Sequence, residues 1–216
     1  MSEAPVLALA IVISGRGTNM AAIARACERG QIRARVARVI ADRRDAAGID
    51  LARQLGLSVS VVPAGEYADR AAFEGALAAA IDASGARLVV LAGFMRILSP
   101  QFTGRFAGAI VNIHPSLLPK FPGLHTHERA LQAREAQHGA SVHFVNSELD
   151  AGPVVLQARV AVLDGDTVTS LSARVQQQEH IIYPTAIGWI AADRLRLVDG
   201  VAYFDGRALT QPLAMH

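Results

Sequence analysis

Three side chains with complementary chemistry leave two apolar runs: the Asn112 amide, the His114 imidazole and the Asp150 carboxylate. The run Ala109–Ile113 predicts a buried strand, and Asn112 and His114, two residues apart, share one of its faces before Pro115 stops it. A loop punctuated by Pro119, Pro122 and Gly123 follows, then a predicted helix over Glu128–Gln137. A second predicted strand, Ala140–Val145, leads into Glu148-Leu149-Asp150-Ala151-Gly152-Pro153. Strand ends of this kind could bring the three groups to one edge of a sheet. No serine or cysteine stands where a nucleophile elbow requires one. Donors and a base without a nucleophile suit direct transfer between two bound substrates. On spacing alone the same residues fit equally well a capped strand and an Asp-x-Gly turn.

Elements that could position them alternate along the chain. Val6–Ile13, Val36–Ala41, Ser58–Val62, Arg87–Ala92 and Val154–Val162 predict strands. Helices are predicted from near Asn19, over Ala46–Leu55 and Asp69–Ser84, from Ser99-Pro100 (a cap followed by a first-turn proline) and over Thr167–Ala192. Pro184 is expected to kink or divide the last of these. Small strands are expected between residues 194 and 205. The alternation predicts an α/β fold, a Rossmann-like, mostly parallel sheet with helices on both faces. The expectation is one domain over residues 1–216, with a nucleotide-binding half to about 105 and a catalytic half from about 106 to 200.

Two further stretches have binding chemistry. Ser14-Gly15-Arg16-Gly17-Thr18-Asn19 joins the first strand to a helix N-terminus, where backbone N–H groups and the helix dipole favour an anion. It lacks the Gly-Lys of a phosphate-binding P-loop, and Met20 occupies the third glycine position of a dinucleotide fingerprint. Gly93-Phe94-Met95-Arg96-Ile97-Leu98 lies at a strand end, where α/β proteins bind ligands. Its apolar side chains and main-chain polar groups suit a flat heterocycle as well as they suit core packing. Asp42-Arg43-Arg44 could instead imitate the ribose-binding acid and 2′-phosphate arginines of an NADP-dependent oxidoreductase. His125 and His127, with His114 and Asp150, have a metal-ligand-like composition on a loop poorly suited to be a rigid platform.

N-I-H-P-S-L-L-P-K-F-P-G-L-H-T-H and S-V-H-F-V-N-S-E-L-D-A-G-P, together with S-G-R-G-T-N, G-F-M-R-I-L-S-P and Q-Q-Q-E, resemble the folate-dependent glycinamide ribonucleotide formyltransferases from about Leu7 to Leu197. The resemblance implies transfer of a formyl group from 10-formyltetrahydrofolate, a co-substrate, to glycinamide ribonucleotide in purine synthesis. It implies catalytic roles for Asn112, His114 and Asp150. It also implies ribonucleotide contacts at Gly17, Thr18, Asn19, Gln176 and Glu179, and folate contacts at Arg70, Met95, Arg96, Ile97, Leu98 and Asn112. No metal is implied. The related methionyl-tRNA formyltransferases and formyltetrahydrofolate deformylases carry extra domains for which the expected single domain has no room. Thr18 stands where serine is common and keeps the hydroxyl.

Of 216 residues 51% are hydrophobic, and the formal charge of +2 gives no case for a nucleic-acid partner. Lys120 is the single lysine among 21 basic residues, and it falls inside the catalytic loop. Cys27, alone, excludes an internal disulfide. No apolar run approaches membrane-spanning length and no signal-peptide pattern opens the chain. The expectation is a cytoplasmic monomer or homodimer with no membrane partner.

Overall fold

A computed structural model describes residues 5–215. They form two compact units that divide between Val111 and Asn112. The first contains β1 (Leu7–Ile13), α1 (Thr18–Glu28), β2 (Ala34–Ala41), α2 (Gly48–Gln54), β3 (Val59–Val61), α3 (Arg70–Ser84), β4 (Leu88–Leu91), α4 (Pro100–Arg105) and the opening residues of β5 (Ile110–His114). Its strands lie in the order β3-β2-β1-β4-β5, and the β1–β2, β2–β3 and β1–β4 pairs are parallel. Leu9 to Ile13 of β1 are all fully buried. An unbroken apolar run, not an alternating one, marks a parallel strand covered on both faces.

Caps set the helix boundaries close to expectation. Asp69 accepts the Ala72 N–H at 2.8 Å to start α3, and Gly85, at φ 66°, ends it. Ser99 accepts the Phe102 N–H at 3.1 Å to start α4, with Pro100 in the first turn.

The second unit contains the remainder of β5, α5 (Thr126–Gln132), β6 (Gln137–Phe144), β7 (Val154–Ala161), α6 (Val168–Ala191), β8 (Leu195–Val198), β9 (Val201–Phe204), β10 (Arg207–Ala208) and β11 (Leu213–Met215). Its strand order is β5-β6-β7-β11, with β6–β7 antiparallel and β7–β11 parallel. β8, β9 and β10 make a separate antiparallel sheet, buttressed by Trp189 packing edge-on against Phe204. Within the described residues no helix is long and apolar enough to cross a membrane.

Two expectations for this unit are corrected. The helix expected over Glu128–Gln137 ends at Gln132, because Arg134 takes a positive φ of 51° and turns the chain into β6, which already includes Gln137. The turn carries no glycine or proline to mark it in the sequence. Of the kink or division expected at Pro184, the division does not occur: α6 runs as one helix of 24 residues. Proline cannot donate to the carbonyl one turn back, but it is buried here, and the Thr185 hydroxyl donates to the Ile181 carbonyl at 2.8 Å.

Candidate active site

β5 delivers Asn112 and His114 as the periodicity requires, and β6 brings His143 beside them. The Asn112 Nδ2 donates to His143 Nε2 at 3.1 Å. His143 Nδ1 donates in turn to the Phe144 carbonyl at 2.9 Å. This is the pattern of a neutral imidazole with its hydrogen on Nδ1. Burial pushes the His143 pKa down, against smaller upward pulls from the Phe144 carbonyl and Asp150. One Asn112 N–H is thus fixed by a neutral acceptor, which orients the amide and leaves its second N–H for a ligand. A bulge in the β6–β7 ladder falls between Val142 and His143, and bulges re-aim side chains in this way. His143 lies within the S-V-H-F motif, yet sequence reasoning gave it no role; its partner is 31 residues distant and only the sheet register unites them.

Asp150 stands between the two histidines. Its Oδ2 is 3.4 Å from His114 Nδ1, and its Oδ1 is 3.7 Å from His143 Nε2. The Gly123 N–H donates to Oδ2 at 2.8 Å. Asp150 has a positive φ of 52°, a turn conformation that Asp tolerates. Two residues on, a Cβ at Gly152 would come 1.9 Å from the Phe144 carbonyl oxygen, so only glycine fits there. His114 Nε2 faces the Phe121 carbonyl at 2.9 Å. The two ring nitrogens of His114 thus face different groups, Nδ1 the Asp150 carboxylate and Nε2 the Phe121 carbonyl. Both His114 and Asp150 side chains are more than nine-tenths buried, which strengthens their attraction.

The loop between them is tied from within. Ser141 accepts the Leu118 N–H and the Gln157 amide and donates to the Ser116 carbonyl. Ser116 donates to the Lys120 carbonyl at 2.6 Å. Lys120 reaches both carboxylate oxygens of Glu135 at 2.8 Å, so the solitary lysine supports the loop from outside. Arg129 donates to the Pro122 carbonyl and stacks on the Phe121 ring. His125 and His127 do not act together: His125 is exposed beside Glu128, while His127 meets His138 at 3.1 Å. Burial and neighbouring imidazoles push His138 down to about 4.

In the first unit, Gly17 takes φ 72° and caps α1 without a side chain. Thr18 and Asn19 open the helix, and Asn19 is buried. Behind the loop lies Gly48, whose N–H donates to the Gly15 carbonyl at 2.9 Å. A Cβ at Gly48 would come 2.9 Å from that same oxygen, and one at Gly17 would come 2.9 Å from the Gly48 Cα. The loop and the start of α2 are in backbone-to-backbone contact that only paired glycines permit. Gly48 was not legible as a loop residue, lying 31 positions beyond Gly17.

The Phe94–Leu98 segment is an irregular loop. Met95 and Ile97 are 67% and 60% exposed, apolar surface held out to solvent, whereas Leu98 is buried in the core. Arg96 donates to Asp42 at 2.6 Å. Asp42 is buried and occupied by that arginine, while Arg43 pairs with Asp45 and Arg44 with Glu66. None of the three is arranged as the ribose and 2′-phosphate reading requires. In the second unit, Glu179 of α6 is buried, and its charge adds to the burial that raises the Tyr183 pKa. The Gln176–Glu179 pair is therefore not an exposed polar face.

The sequence profile of the family described as formyl transferase matches residues 7–187. The phosphoribosylglycinamide formyltransferase of Escherichia coli is 48% identical over 201 residues, 93% of this chain and 95% of the relative. The human trifunctional purine biosynthetic protein adenosine-3 is 39% identical over 189 residues, 88% of this chain and 19% of that longer protein. The phosphoribosylglycinamide formyltransferase of Coxiella burnetii, solved in complex with CHES, superposes with a TM-score of 0.93 at 43% identity, covering 98% of this chain and 100% of its own. With near-complete coverage at such identity, the chain belongs to the formyl transferase family, among the phosphoribosylglycinamide formyltransferases.

Proposed function

We propose that the chain transfers the formyl group of 10-formyltetrahydrofolate to the amine of glycinamide ribonucleotide, giving formylglycinamide ribonucleotide and tetrahydrofolate, a step of purine synthesis. The observation that carries this reading is the grouping of Asn112, His114 and Asp150, with His114 buried and Asp150 facing it, rich in donors and without a nucleophile of its own. The acceptor amine attacks the formyl carbon and a tetrahedral intermediate carries its oxygen as an oxyanion. Collapse breaks the bond to the folate nitrogen, which takes up a proton as the acceptor nitrogen loses one. The second Asn112 N–H and the His114 ring N–H are the donors for the oxyanion; one such donor contributes about 10²–10³ in rate. Asp150, 3.4 Å from His114 Nδ1, offers a route for protons through water. His114 Nε2 is engaged by the Phe121 carbonyl at 2.9 Å, so oxyanion binding through this nitrogen exchanges one acceptor for a more strongly charged one.

In the first unit, Gly17, Thr18 and Asn19 offer the anion-binding turn for the ribonucleotide phosphate. Exposed Met95 and Ile97, with Arg96, Leu98 and Arg70, form the folate-binding segment. In the second unit, Gln176 and Glu179 take the polar groups of the ribonucleotide. The test is a turnover assay with glycinamide ribonucleotide and the formyl-folate, following the deformylated folate by absorbance with and without the ribonucleotide. Release that requires the ribonucleotide is the expected result. Release without it identifies a deformylase and overturns the reading, as does no release in either case.

A further inference from the structure

The buried carboxylate of Glu74, on α3, holds together two features of the first unit that the proposed function assigns to folate. Its Oε1 accepts the Arg70 Nε at 3.0 Å and the Ser99 backbone N–H at 2.7 Å. Its Oε2 accepts the Ser99 hydroxyl in a short contact. Ser99 directly follows the Phe94–Leu98 segment and caps α4. Glu74 is only 7% exposed. A carboxylate is costly to bury, and it persists when its oxygens are met by hydrogen-bond donors. Here three donors from two elements share it, and 25 residues of chain separate Glu74 from Ser99.

The other end of the segment is fixed as well. The Met95 N–H donates to the Ser14 hydroxyl at 3.0 Å. Arg96 pairs with buried Asp42 and lies over the Phe73 ring, 5.6 Å from its centre. Between these anchors, Met95 and Ile97 are 67% and 60% exposed. Exposed apolar side chains on a loop bind a rigid ligand well only if the backbone beneath is already held. Arg70 is half exposed and receives its orientation from the same carboxylate.

We infer that Glu74 is a positioning residue for the folate half of the reaction: it fixes Arg70 and the Met95–Leu98 backbone in one geometry without touching the ligand. The inference rests on the assignment of folate to that segment. Glu74→Ala removes all three acceptor contacts; Glu74→Gln keeps an acceptor for the Ser99 N–H and a polar partner for its hydroxyl, and weakens the hold on Arg70.

Steady-state kinetics of both variants, with each substrate varied in turn, separate the possibilities. In Glu74→Ala the KM for the formyl-folate is expected to rise roughly tenfold, the loss of about one charge-assisted contact. The KM for the ribonucleotide and kcat are expected to stay within about twofold, and Glu74→Gln to recover most of the folate KM. An unchanged folate KM overturns the inference, and so does a parallel rise in both KM values with a fall in kcat, the mark of a merely structural role. Ile97→Asp is the control for the assignment beneath it. If Ile97→Asp raises the folate KM and Glu74→Ala does not, positioning by Glu74 fails and the folate assignment stands. If Ile97→Asp leaves it unchanged, the assignment fails and the inference with it.

Discussion

Asp150 Oδ2 lies 3.4 Å from Nδ1 of His114 while accepting the Gly123 N–H at 2.8 Å. One carboxylate oxygen thus faces both the imidazole and the backbone of the loop that shields it. Asp150→Asn keeps an acceptor for Gly123 and removes the charge beside His114. Turnover is expected to fall by about 10²–10⁴, with ribonucleotide binding measured by calorimetry unchanged. Near-normal turnover would remove Asp150 from the proton chemistry.

His114→Ala deletes the imidazole and leaves the Phe121 carbonyl without its donor. Turnover is expected to drop by at least about 10²–10³, the worth of one oxyanion donor, while ribonucleotide affinity is largely kept. Retained activity would show that Asn112 and its neighbours suffice.

His143→Ala tests the residue that sequence reasoning passed over. Without the Nε2 acceptor at 3.1 Å, the Asn112 amide loses its fixed orientation. A decrease in kcat of about tenfold is expected from a loss of about 1–2 kcal/mol, with both KM values little changed. His143→Gln, which offers a replacement acceptor, is expected to recover part of it, and failure of any kcat effect would assign His143 to packing alone.

The glycine loop gives a matched pair of variants. Thr18→Asp puts a negative charge beside the proposed phosphate position and is expected to raise the ribonucleotide KM while sparing that of the folate. Gly48→Val drives a side chain into the Gly15 carbonyl and the Ile13 side chain and is expected to cost about 1–3 kcal/mol of stability, read by urea unfolding. A ribonucleotide KM indifferent to Thr18→Asp would take the loop out of the site.

Stability is expected to fall on mild acidification. His138 titrates at about 4 in the folded chain, against about 6.5 when unfolded. Below pH 6.5 the unfolded chain therefore binds a proton that the folded chain refuses, so stability is full above 6.5 and is lost as pH falls toward 4. His127 and His143, both held down by burial, act with the same sign. Urea midpoints should decline between pH 7 and 5, less steeply in His138→Gln; identical slopes in the two proteins would contradict the assignment.

The sequence by itself determined the α/β alternation, the cap at Ser99, and the same-face placement of Asn112 and His114. Each is a local rule, periodicity or a turn residue, that acts within a few positions. The motif resemblance supplied the family and the residue types of the site. What only the tertiary structure decided depends on partners far apart in the chain. Gly48 packs behind Gly17, His143 bonds Asn112, and Glu74 holds Ser99 because sheet register and helix packing bring them together. The same contacts corrected local rules: buried Pro184 lies within an unbroken α6, and Arg134 turns the chain without glycine or proline. Asp42, open on sequence to a ribose role, is committed to Arg96 54 residues away. Periodicity fixes which face a side chain takes, whereas the partner it meets there depends on the whole fold.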